Sequence, residues 1–156
     1  MGIEIERKFL VISDAWQKDA KGTAQIEQGY LARGANAAVR VRIKNEATGY
    51  LTVKSRESGR ARSEFEYEVP LKDAQVLMKL CGDERLSKRR YSVPHGKLTW
   101  EIDIFAGRHA GLVLAEIELP KADTMLTLPD WIGDEVTDDP RYRNANIAKR
   151  AGGIEP

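Results

Sequence analysis

Charged side chains recur at every second position in several short segments of this chain, and this period constrains its fold more than any other feature. Successive side chains of a β-strand point to opposite faces, so an extended strand would place Glu4, Glu6 and Lys8 on one side. One such strand is usually just a strand with one solvated face. The same pattern returns in residues 39–43, 64–69, 88–91, 101–104 and 116–119. This repetition needs a further explanation.

The repeated segments carry like charges side by side, as in Arg40 and Arg42 or Glu116 and Glu118. Neighbours two positions apart on a strand face lie about 7 Å from each other, where like charges repel, and an ordinary solvated sheet mixes the two signs. A polyvalent anion would stabilise the basic pairs, and a divalent cation would stabilise the acidic pairs. The pattern therefore favours a site that binds a polyphosphate together with a metal ion.

Length and composition limit the remaining alternatives. The 156 residues are expected to form a single domain, residues 1–156, because no linker-like segment divides them. With 25 basic and 24 acidic residues the net charge is +1, so neither nucleic acid nor a membrane is an expected partner. The chain has no apolar run near the roughly 18 residues of a membrane span and no secretory signal. Cys81, the single cysteine, cannot form an internal disulfide. We expect a cytoplasmic protein.

Eight segments are predicted to be β-strands: 3–11, 25–33, 38–45, 49–56, 62–70, 86–93, 97–105 and 112–119. Residues 45–49 and 94–96 have the composition of hairpin turns, which indicates antiparallel neighbours. Two further connectors are expected to be exposed loops: 57–60 and 107–111. His95 and His109 fall in these connecting segments, and the sequence supplies no catalytic partner for either.

Three segments carry helical signals. They are a short helix over 16–20, a helix over 71–81 that stops at Gly82, and a C-terminal helix that begins near Pro140 and ends at Gly152. These helices are expected to cover the apolar face of the strands. That face consists of Ile3, Ile5, Val39, Val41, Val53, Phe65, Tyr67, Ile102, Ile104, Ala115 and Ile117.

The strand pattern does not decide which set of side chains faces inward. Eight antiparallel strands can close into a barrel that is wide enough for one small ligand. A charged interior would be costly unless water, metal and ligand filled it, whereas a charged outer face would simply be solvated. Both a barrel and an open α+β sheet with solvated charges are therefore compatible with the period alone.

The ordered series of charged motifs resembles the CYTH family, also called the triphosphate tunnel metalloenzymes. The family's opening signature Glu-x-Glu-x-Lys is present as Glu4, Glu6 and Lys8. The resemblance covers nearly the whole chain through residues 28–31, 40–42, 52–55, 64–66, 88–91, 103, 116–118, 135–138 and 141–142. It implies an α+β fold in which an eight-stranded antiparallel β-barrel forms a tunnel with a charged interior, flanked by helices.

The resemblance also implies activity on linear triphosphates with a divalent metal. Members of the family include inorganic triphosphatases, thiamine triphosphatases, RNA triphosphatases and one class of adenylate cyclases. The short chain, with its Glu-Val-Thr-x-Asp sequence at 135–139, is most similar to the bacterial stand-alone members that hydrolyse inorganic tripolyphosphate. We therefore expect an inorganic triphosphatase that acts on a small-molecule triphosphate and releases phosphate and pyrophosphate.

The acidic residues of the matching motifs are candidate metal ligands. We expect direct ligands in Glu4, Glu6 and Glu118. The metal's water shell or a second ion would be held by Glu116, Asp103, Glu64 and Glu66. A set of oxygen ligands favours Mg²⁺ or Mn²⁺ over zinc.

The basic residues of the same motifs are candidate substrate ligands: Arg40, Arg42, Lys54, Lys88 and Arg90. Lys8 is expected to orient a phosphate or the attacking water, which makes it catalytic together with Glu4 and Glu6. Rim contacts at most are expected from Arg56 and Arg62. Tyr30 either makes a structural hydrogen bond or contacts the substrate. Because phosphoryl transfer asks mainly for alignment and charge neutralisation, no protein base is required.

Three alternatives remain open at this stage. An adenylate cyclase would need an adenine pocket, which the sequence does not identify. A thiamine triphosphatase would need an aromatic platform, but Trp16, Trp100 and Trp131 are expected to be packing residues. A module that only binds polyphosphate would not need so many carboxylates. A homodimer is compatible with the sequence, but no feature of the sequence argues for one.

Overall fold

A computed structural model describes residues 2–56 and 61–149, and these residues form one nine-stranded sheet. The strands are β1 (Gly2–Val11), β2 (Gly22–Arg33), β3 (Ala37–Lys44), β4 (Thr48–Ser55), β5 (Ala61–Val69), β6 (Arg85–His95), β7 (Leu98–Phe105), β8 (Val113–Glu118) and β9 (Ile132–Glu135). The helices are α1 (Leu71–Leu80) and α2 (Asn144–Lys149), with 3₁₀ turns at Ala15–Asp19, Gly107–His109 and Pro140–Tyr142. The loop predicted at 57–60 lies outside the described residues.

Every pair of neighbouring strands is antiparallel, and the sheet closes on itself. The order is β5-β4-β3-β2-β6-β7-β8-β1, and β1 returns to β5. Residues 6–10 of β1 pair with β8, whereas residues 2–5 pair with β5. The edge of β1 that pairs with β5 also pairs with the short strand β9, through Phe9 and Val11. The predicted closed eight-stranded barrel is therefore confirmed.

The C-terminal part of the chain differs from the prediction. Residues 132–135, which lie outside the eight predicted strands, form strand β9. The predicted helix from Pro140 is divided into a 3₁₀ turn and α2. Asp139 caps the turn by accepting a hydrogen bond from the Arg141 amide, and Arg143 then has an extended backbone (φ −74°, ψ 131°) that interrupts the helix. The predicted end at Gly152 lies outside the described residues.

The charged side chains face the lumen, and the apolar side chains form the core outside the barrel. Helix α1 packs on β3 and β4, where Ala74 and Met78 contact Val41 and Ile43. A Cβ atom at Gly49 would lie 2.5 Å from the Ala74 Cβ atom, so glycine lets this helix approach β4 closely. As predicted, the three tryptophans are packing residues, buried in one cluster: Trp16, Trp100 and Trp131.

Part of the apolar strand face remains uncovered, contrary to the prediction. Ile3, Phe65 and Tyr67 are exposed on the outer side of the seam between β1 and β5. The cause is that α1 lies over β2, β3 and β4, and none of the described helices packs over the seam.

The loop predicted at 107–111 is not wholly exposed, because His109 is buried. Gly107 begins a tight 3₁₀ turn with φ at +63°, and Gly111 ends the connection with φ at +101°. Both glycines thus allow a compact connection in which the histidine packs against the protein. Within the described part of the chain, no helix has the length and apolar character needed to cross a membrane.

Candidate active site

The lumen of the barrel contains a polar cavity of about 150 Å³. The predicted site residues that line it are Glu4, Glu6, Lys8, Tyr30, Arg40, Arg42, Lys54, Arg56, Arg62, Glu64, Lys88, Arg90, Glu116 and Glu118. Two other predicted carboxylates do not line the cavity. Asp103 instead contacts Arg90, and Glu66 contacts Arg40.

The strand register brings acids and bases together across the barrel wall. Glu6 lies opposite Glu118, and Lys8 lies opposite Glu116, where β1 pairs with β8. On the other edge of β1, beyond β5, Lys54 of β4 lies opposite Glu64 of β5. Side chains directly opposite each other on one sheet face are within contact distance. The period-two pattern therefore becomes a lumen that holds both carboxylates and cations.

The carboxylates near the start of β1 are crowded. Burial, and after it the charges of Glu116 and Glu4, raises the pKa of Glu6 to about 7, although Lys54 and Lys8 oppose this effect. Burial also raises the pKa of Glu118, and the charges of Glu4 and Glu101 raise it further. Crowded carboxylates whose charges are not fully compensated would be stabilised by a divalent cation.

The donor chemistry fits a metal that prefers oxygen, but the side chains do not converge on a preformed site. In the described residues, no group of three or more His, Cys, Asp or Glu side chains is close enough to hold a metal ion. One reason is that Glu4 Oε1 lies 2.9 Å from Lys54 Nζ, and Glu116 Oε1 lies 3.3 Å from Lys8 Nζ. The ligand role of Glu4, Glu6 and Glu118 therefore stays a prediction.

Lys54 is held between two carboxylates. Its Nζ atom lies 2.9 Å from Glu4 Oε1 and 3.4 Å from Glu64 Oε2. Burial would lower the pKa of Lys54, but the charges of Glu6 and Glu4 outweigh burial and raise it. Lys54 is therefore a fixed positive charge that faces the cavity.

Asp103 on β7 holds two cations of the neighbouring strand β6. Its Oδ2 atom lies 2.7 Å from Lys88 Nζ, and its two oxygens accept hydrogen bonds of 2.7 and 2.9 Å from Arg90. Burial would raise the pKa of Asp103, but Lys88 and Arg90 outweigh it and keep the pKa low. Burial lowers the pKa of Lys88 to about 7, against the opposing effect of Asp103. Asp103 thus orients both cations from within the wall.

Lys8 is tied to the C-terminal part of the chain. Its Nζ atom donates a hydrogen bond of 2.8 Å to the carbonyl oxygen of Tyr142. Its backbone N–H donates to Thr137 Oγ1 at 3.0 Å, and its carbonyl oxygen accepts from the Val136 amide at 2.8 Å. On the other side, Lys8 lowers the pKa of Glu116, although burial would raise it. The Lys8 ammonium is thus fixed at the cavity wall from two directions.

Arg40 and Arg42 lie on β3 and have different partners. Arg40 Nη2 donates to Thr52 Oγ1 at 3.2 Å and lies 3.8 Å from a Glu66 oxygen, whereas its buried Nε atom has no partner among the described residues. Arg42 donates two hydrogen bonds to Gln28 Oε1. Both arginines therefore retain N–H groups that can bind an anion.

Tyr30 makes the structural hydrogen bond that was one of its two predicted roles. Its hydroxyl accepts from Gln28 Nε2 at 3.2 Å, and its ring stacks below the Arg33 guanidinium at 5.0 Å. Tyr30 also lines the cavity, so a contact with substrate stays a prediction.

Sequence reasoning assigned no role to several polar residues around the cavity. Those that line it are Arg33, Thr52, Glu101, Thr137, Asp139, Tyr142, Arg143 and Asn144. Thr52 shares the parity of the inward-facing Lys54 on β4, and the buried Gln28 shares that of Tyr30 on β2, which is the signal that could have placed them on the inner face. The residues after β9 have no comparable periodic signal.

A closed antiparallel barrel whose lumen carries facing cations and carboxylates is suited to binding a small polyanion together with a divalent cation. The class that this fold and site define is that of tunnel-shaped enzymes for phosphoryl transfer. The model of the CYTH domain matches residues 2–151, and the chain belongs to the CYTH family.

Two relatives and one solved structure are similar over nearly their whole length. The chain is 47% identical over 150 residues to an inorganic triphosphatase of Acetivibrio thermocellus, and the alignment covers 96% of this chain and 95% of the relative. It is 34% identical over 149 residues to an inorganic triphosphatase of Nitrosomonas europaea, covering 93% and 96%. A crystal structure of an inorganic triphosphatase matches with a TM-score of 0.71 at 31% identity, covering 96% of this chain and 97% of the other.

Proposed function

We propose that this protein is an inorganic triphosphatase that hydrolyses tripolyphosphate to phosphate and pyrophosphate. The observation that carries the proposal is the lumen itself, where the six predicted substrate cations and the facing carboxylates line a cavity of about 150 Å³. The two similar triphosphatases support the same activity. A linear chain of phosphates, with no base or sugar, needs only the charged walls that this cavity provides.

The basic side chains bind and align the substrate. Arg40 and Arg42 offer guanidinium N–H groups that can grip phosphate oxygens at two points, whereas Lys54 and Lys88 act as point charges. Arg90 donates two hydrogen bonds to Asp103, which fix its orientation toward the cavity. Alignment of this kind is the main requirement of phosphoryl transfer.

The carboxylates have two roles. Glu4, Glu6 and Glu118 would hold Mg²⁺ or Mn²⁺, which when bound neutralises phosphate charge and activates water. The contacts of the other predicted acids support a role in holding cations in place: Glu64 at Lys54, Glu66 at Arg40, Asp103 at Lys88 and Arg90, and Glu116 at Lys8. Lys8, oriented by Glu116 and the Tyr142 carbonyl, would position the terminal phosphate.

The domain organisation, the size of the substrate and the cellular location form part of the same proposal. We propose a single domain, residues 1–156, that acts on a small molecule in the cytoplasm. The net charge of +1 supports a substrate that binds inside the lumen and not nucleic acid on the surface.

The experiment that tests the proposed activity measures phosphate release from four substrates. They are tripolyphosphate, ATP, thiamine triphosphate and pyrophosphate, each with Mg²⁺, Mn²⁺ or a chelator. We expect the fastest release from tripolyphosphate and none with the chelator. Cyclic AMP formed from ATP with Mn²⁺ would indicate a cyclase instead. Tight tripolyphosphate binding without turnover would indicate a binding module.

Single substitutions test the assigned roles. Glu4→Ala or Glu6→Ala should abolish hydrolysis and leave the fold intact, and Arg40→Ala should weaken substrate binding. Glu27→Ala is the matched control, because Glu27 is exposed on the outer face of β2. Near-normal metal-dependent turnover in Glu4→Ala would show that the ligand assignment is wrong.

A further inference from the structure

Arg42 differs from the other five predicted substrate cations in the partner that holds it. Each of the other five lies within 4.0 Å of a carboxylate oxygen: Lys8 of Glu116, Arg40 of Glu66, Lys54 of Glu4, Lys88 of Asp103 and Arg90 of Asp103. No carboxylate within residues 2–56 and 61–149 lies that close to Arg42. A carboxylate partner partly cancels the charge that a cation can offer to a substrate.

The partner of Arg42 is the neutral amide of Gln28. Gln28 lies directly opposite Arg42 in the pairing of β2 with β3. Its Oε1 atom accepts hydrogen bonds from Arg42 Nε at 3.1 Å and from Arg42 Nη2 at 2.9 Å. These bonds fix the plane of the guanidinium, as a carboxylate would, but they add no negative charge.

The orientation of the Gln28 amide is itself fixed. Its Nε2 atom donates to the Tyr30 hydroxyl at 3.2 Å and to Asn144 Oδ1 at 3.4 Å. Because a guanidinium has only donors, the atom of Gln28 that faces Arg42 must be the oxygen. Gln28 is fully buried (0% exposed) and does not line the cavity, so it acts on a bound ligand only through the residues that it holds. Arg42 is the cation among them, beside Tyr30 and Asn144.

The charge of Arg42 and its remaining N–H donors are therefore available to a ligand in the cavity. A guanidinium has five N–H donors, and Gln28 binds only two of the Arg42 groups. Burial, and after it the charges of Arg40 and Arg90, lowers the pKa of Arg42 to about 10, so the side chain stays protonated near neutral pH. An anion that enters the lumen therefore meets at Arg42 a fixed positive charge with no counter-charge beside it.

We propose that Gln28 is a positioning residue that holds Arg42 with a neutral acceptor, so that Arg42 is the principal anchor for a phosphate of the substrate. This inference rests on the proposed tripolyphosphatase function. A glutamate at position 28 would keep the shape and the oxygen that accepts both bonds from Arg42, but its negative charge would cancel the charge of Arg42. Substrate binding would weaken while the packing of the barrel is retained.

The test compares Gln28→Glu with Gln25→Glu. Gln25 is on the same strand, does not line the cavity, and its side chain donates only to Ser87, so the control adds the same charge outside the lumen. The dissociation constant of tripolyphosphate is measured by calorimetry in the presence of a chelator, where no turnover occurs. We expect Gln28→Glu to raise it about tenfold or more relative to Gln25→Glu, the scale of losing one charge-assisted hydrogen bond.

Steady-state kinetics with a divalent cation supply a second readout that a packing role would not change. We expect the KM of Gln28→Glu for tripolyphosphate to rise by a similar factor while kcat changes much less, because the loss is mainly in binding. A dissociation constant and a KM both equal to those of Gln25→Glu would overturn the inference. If wild-type protein neither binds nor hydrolyses tripolyphosphate, it is the proposed function that fails.

A second pair of variants covers the case in which Gln28→Glu does not fold. Gln28→Met has a similar volume but removes the oxygen that accepts both hydrogen bonds from Arg42, and Gln25→Met is its control. Weaker tripolyphosphate binding by Gln28→Met at an unchanged melting temperature supports the inference. Binding equal to that of Gln25→Met contradicts it.

Discussion

Lys88 and Asp103 form an ion pair of 2.7 Å inside the barrel wall, and each residue is only 1% exposed. The same carboxylate also binds Arg90 through both of its oxygens. Removing one partner of a buried pair leaves the other charge without compensation, which costs far more than the pair itself contributes. Asp103 is therefore a residue on which both stability and the orientation of two substrate cations depend.

Asp103→Asn should destabilise the protein and abolish activity. The amide replaces the carboxylate that pairs with Lys88 and accepts two bonds from Arg90, which we expect to cost about 3–5 kcal/mol in the free energy of unfolding. Urea denaturation measures this cost. Glu101→Gln is the control, because Glu101 also pairs with Arg90, at 3.0 Å, but is more exposed. Its loss should cost less than about 1 kcal/mol. Equal costs for the two variants would contradict the prediction.

Glu6 should make the metal-free protein less stable as the pH rises. The pKa of Glu6 is raised from 4.5 to about 7, so between these values the folded chain binds more protons than the unfolded chain. The contribution of Glu6 to stability is therefore fully present below pH 4.5 and is lost as the pH rises through 7, by on the order of 3 kcal/mol. The melting temperature of Glu6→Gln, measured in chelator, should lack this fall. A profile of Glu6→Gln parallel to that of Glu27→Gln would refute the assignment.

Divalent cations should stabilise the wild-type protein above pH 7, because the ionised carboxylates then gain a counter-charge. At a concentration about 100-fold above the dissociation constant, binding to the folded state alone adds about 2.7 kcal/mol. Thermal unfolding with Mg²⁺, with Mn²⁺ and with chelator measures the gain. The gain should vanish in Glu6→Gln and persist in Glu27→Gln. A gain that survives in Glu6→Gln would place the metal elsewhere.

Gly49→Ala should separate α1 from the barrel. The added Cβ atom would lie 2.5 Å from the Ala74 Cβ atom, and backbone on both sides must move to relieve the overlap. Overpacking of this kind costs about 1–3 kcal/mol. Gly22→Ala is the matched control, because a Cβ atom there meets nothing within 4 Å. Chemical denaturation of both variants tests the prediction, which fails if their stabilities are equal.

The sequence predicted the strands well because the period-two pattern is a local property of each strand, whereas closure into a barrel was implied only by the resemblance to the CYTH family. It also predicted which charges share a face, since Glu4, Glu6 and Lys8 differ by even numbers of residues. Strand β9 was missed because its four residues, Ile132–Glu135, lack such alternation and become a strand by pairing with the distant β1. The cover of the apolar face was overestimated because the placement of α1 depends on packing at Gly49, which the strand pattern does not reveal.

The site was predictable in its charges and not in its neutral groups. Like charges at successive inward positions repel each other, and this repulsion can be recognised from the sequence. Gln28 and Asn144 are neutral and give no such signal. Their importance comes from distances across the barrel, such as the 2.8 Å between Lys88 Nζ and Asn144 Oδ1. Nor could the sequence show that Asp103 and Glu66 contact arginines of the wall without lining the cavity, because that depends on side-chain direction within the closed sheet.

The hydrogen bond from Lys8 to Tyr142 joins residues that are 134 positions apart. A nascent chain therefore cannot complete the wall around its substrate until nearly all of the described sequence has left the ribosome. Such distant contacts also make folding slow, because the long intervening loop must close first. Enzymatic competence should arise late in synthesis and in a single step.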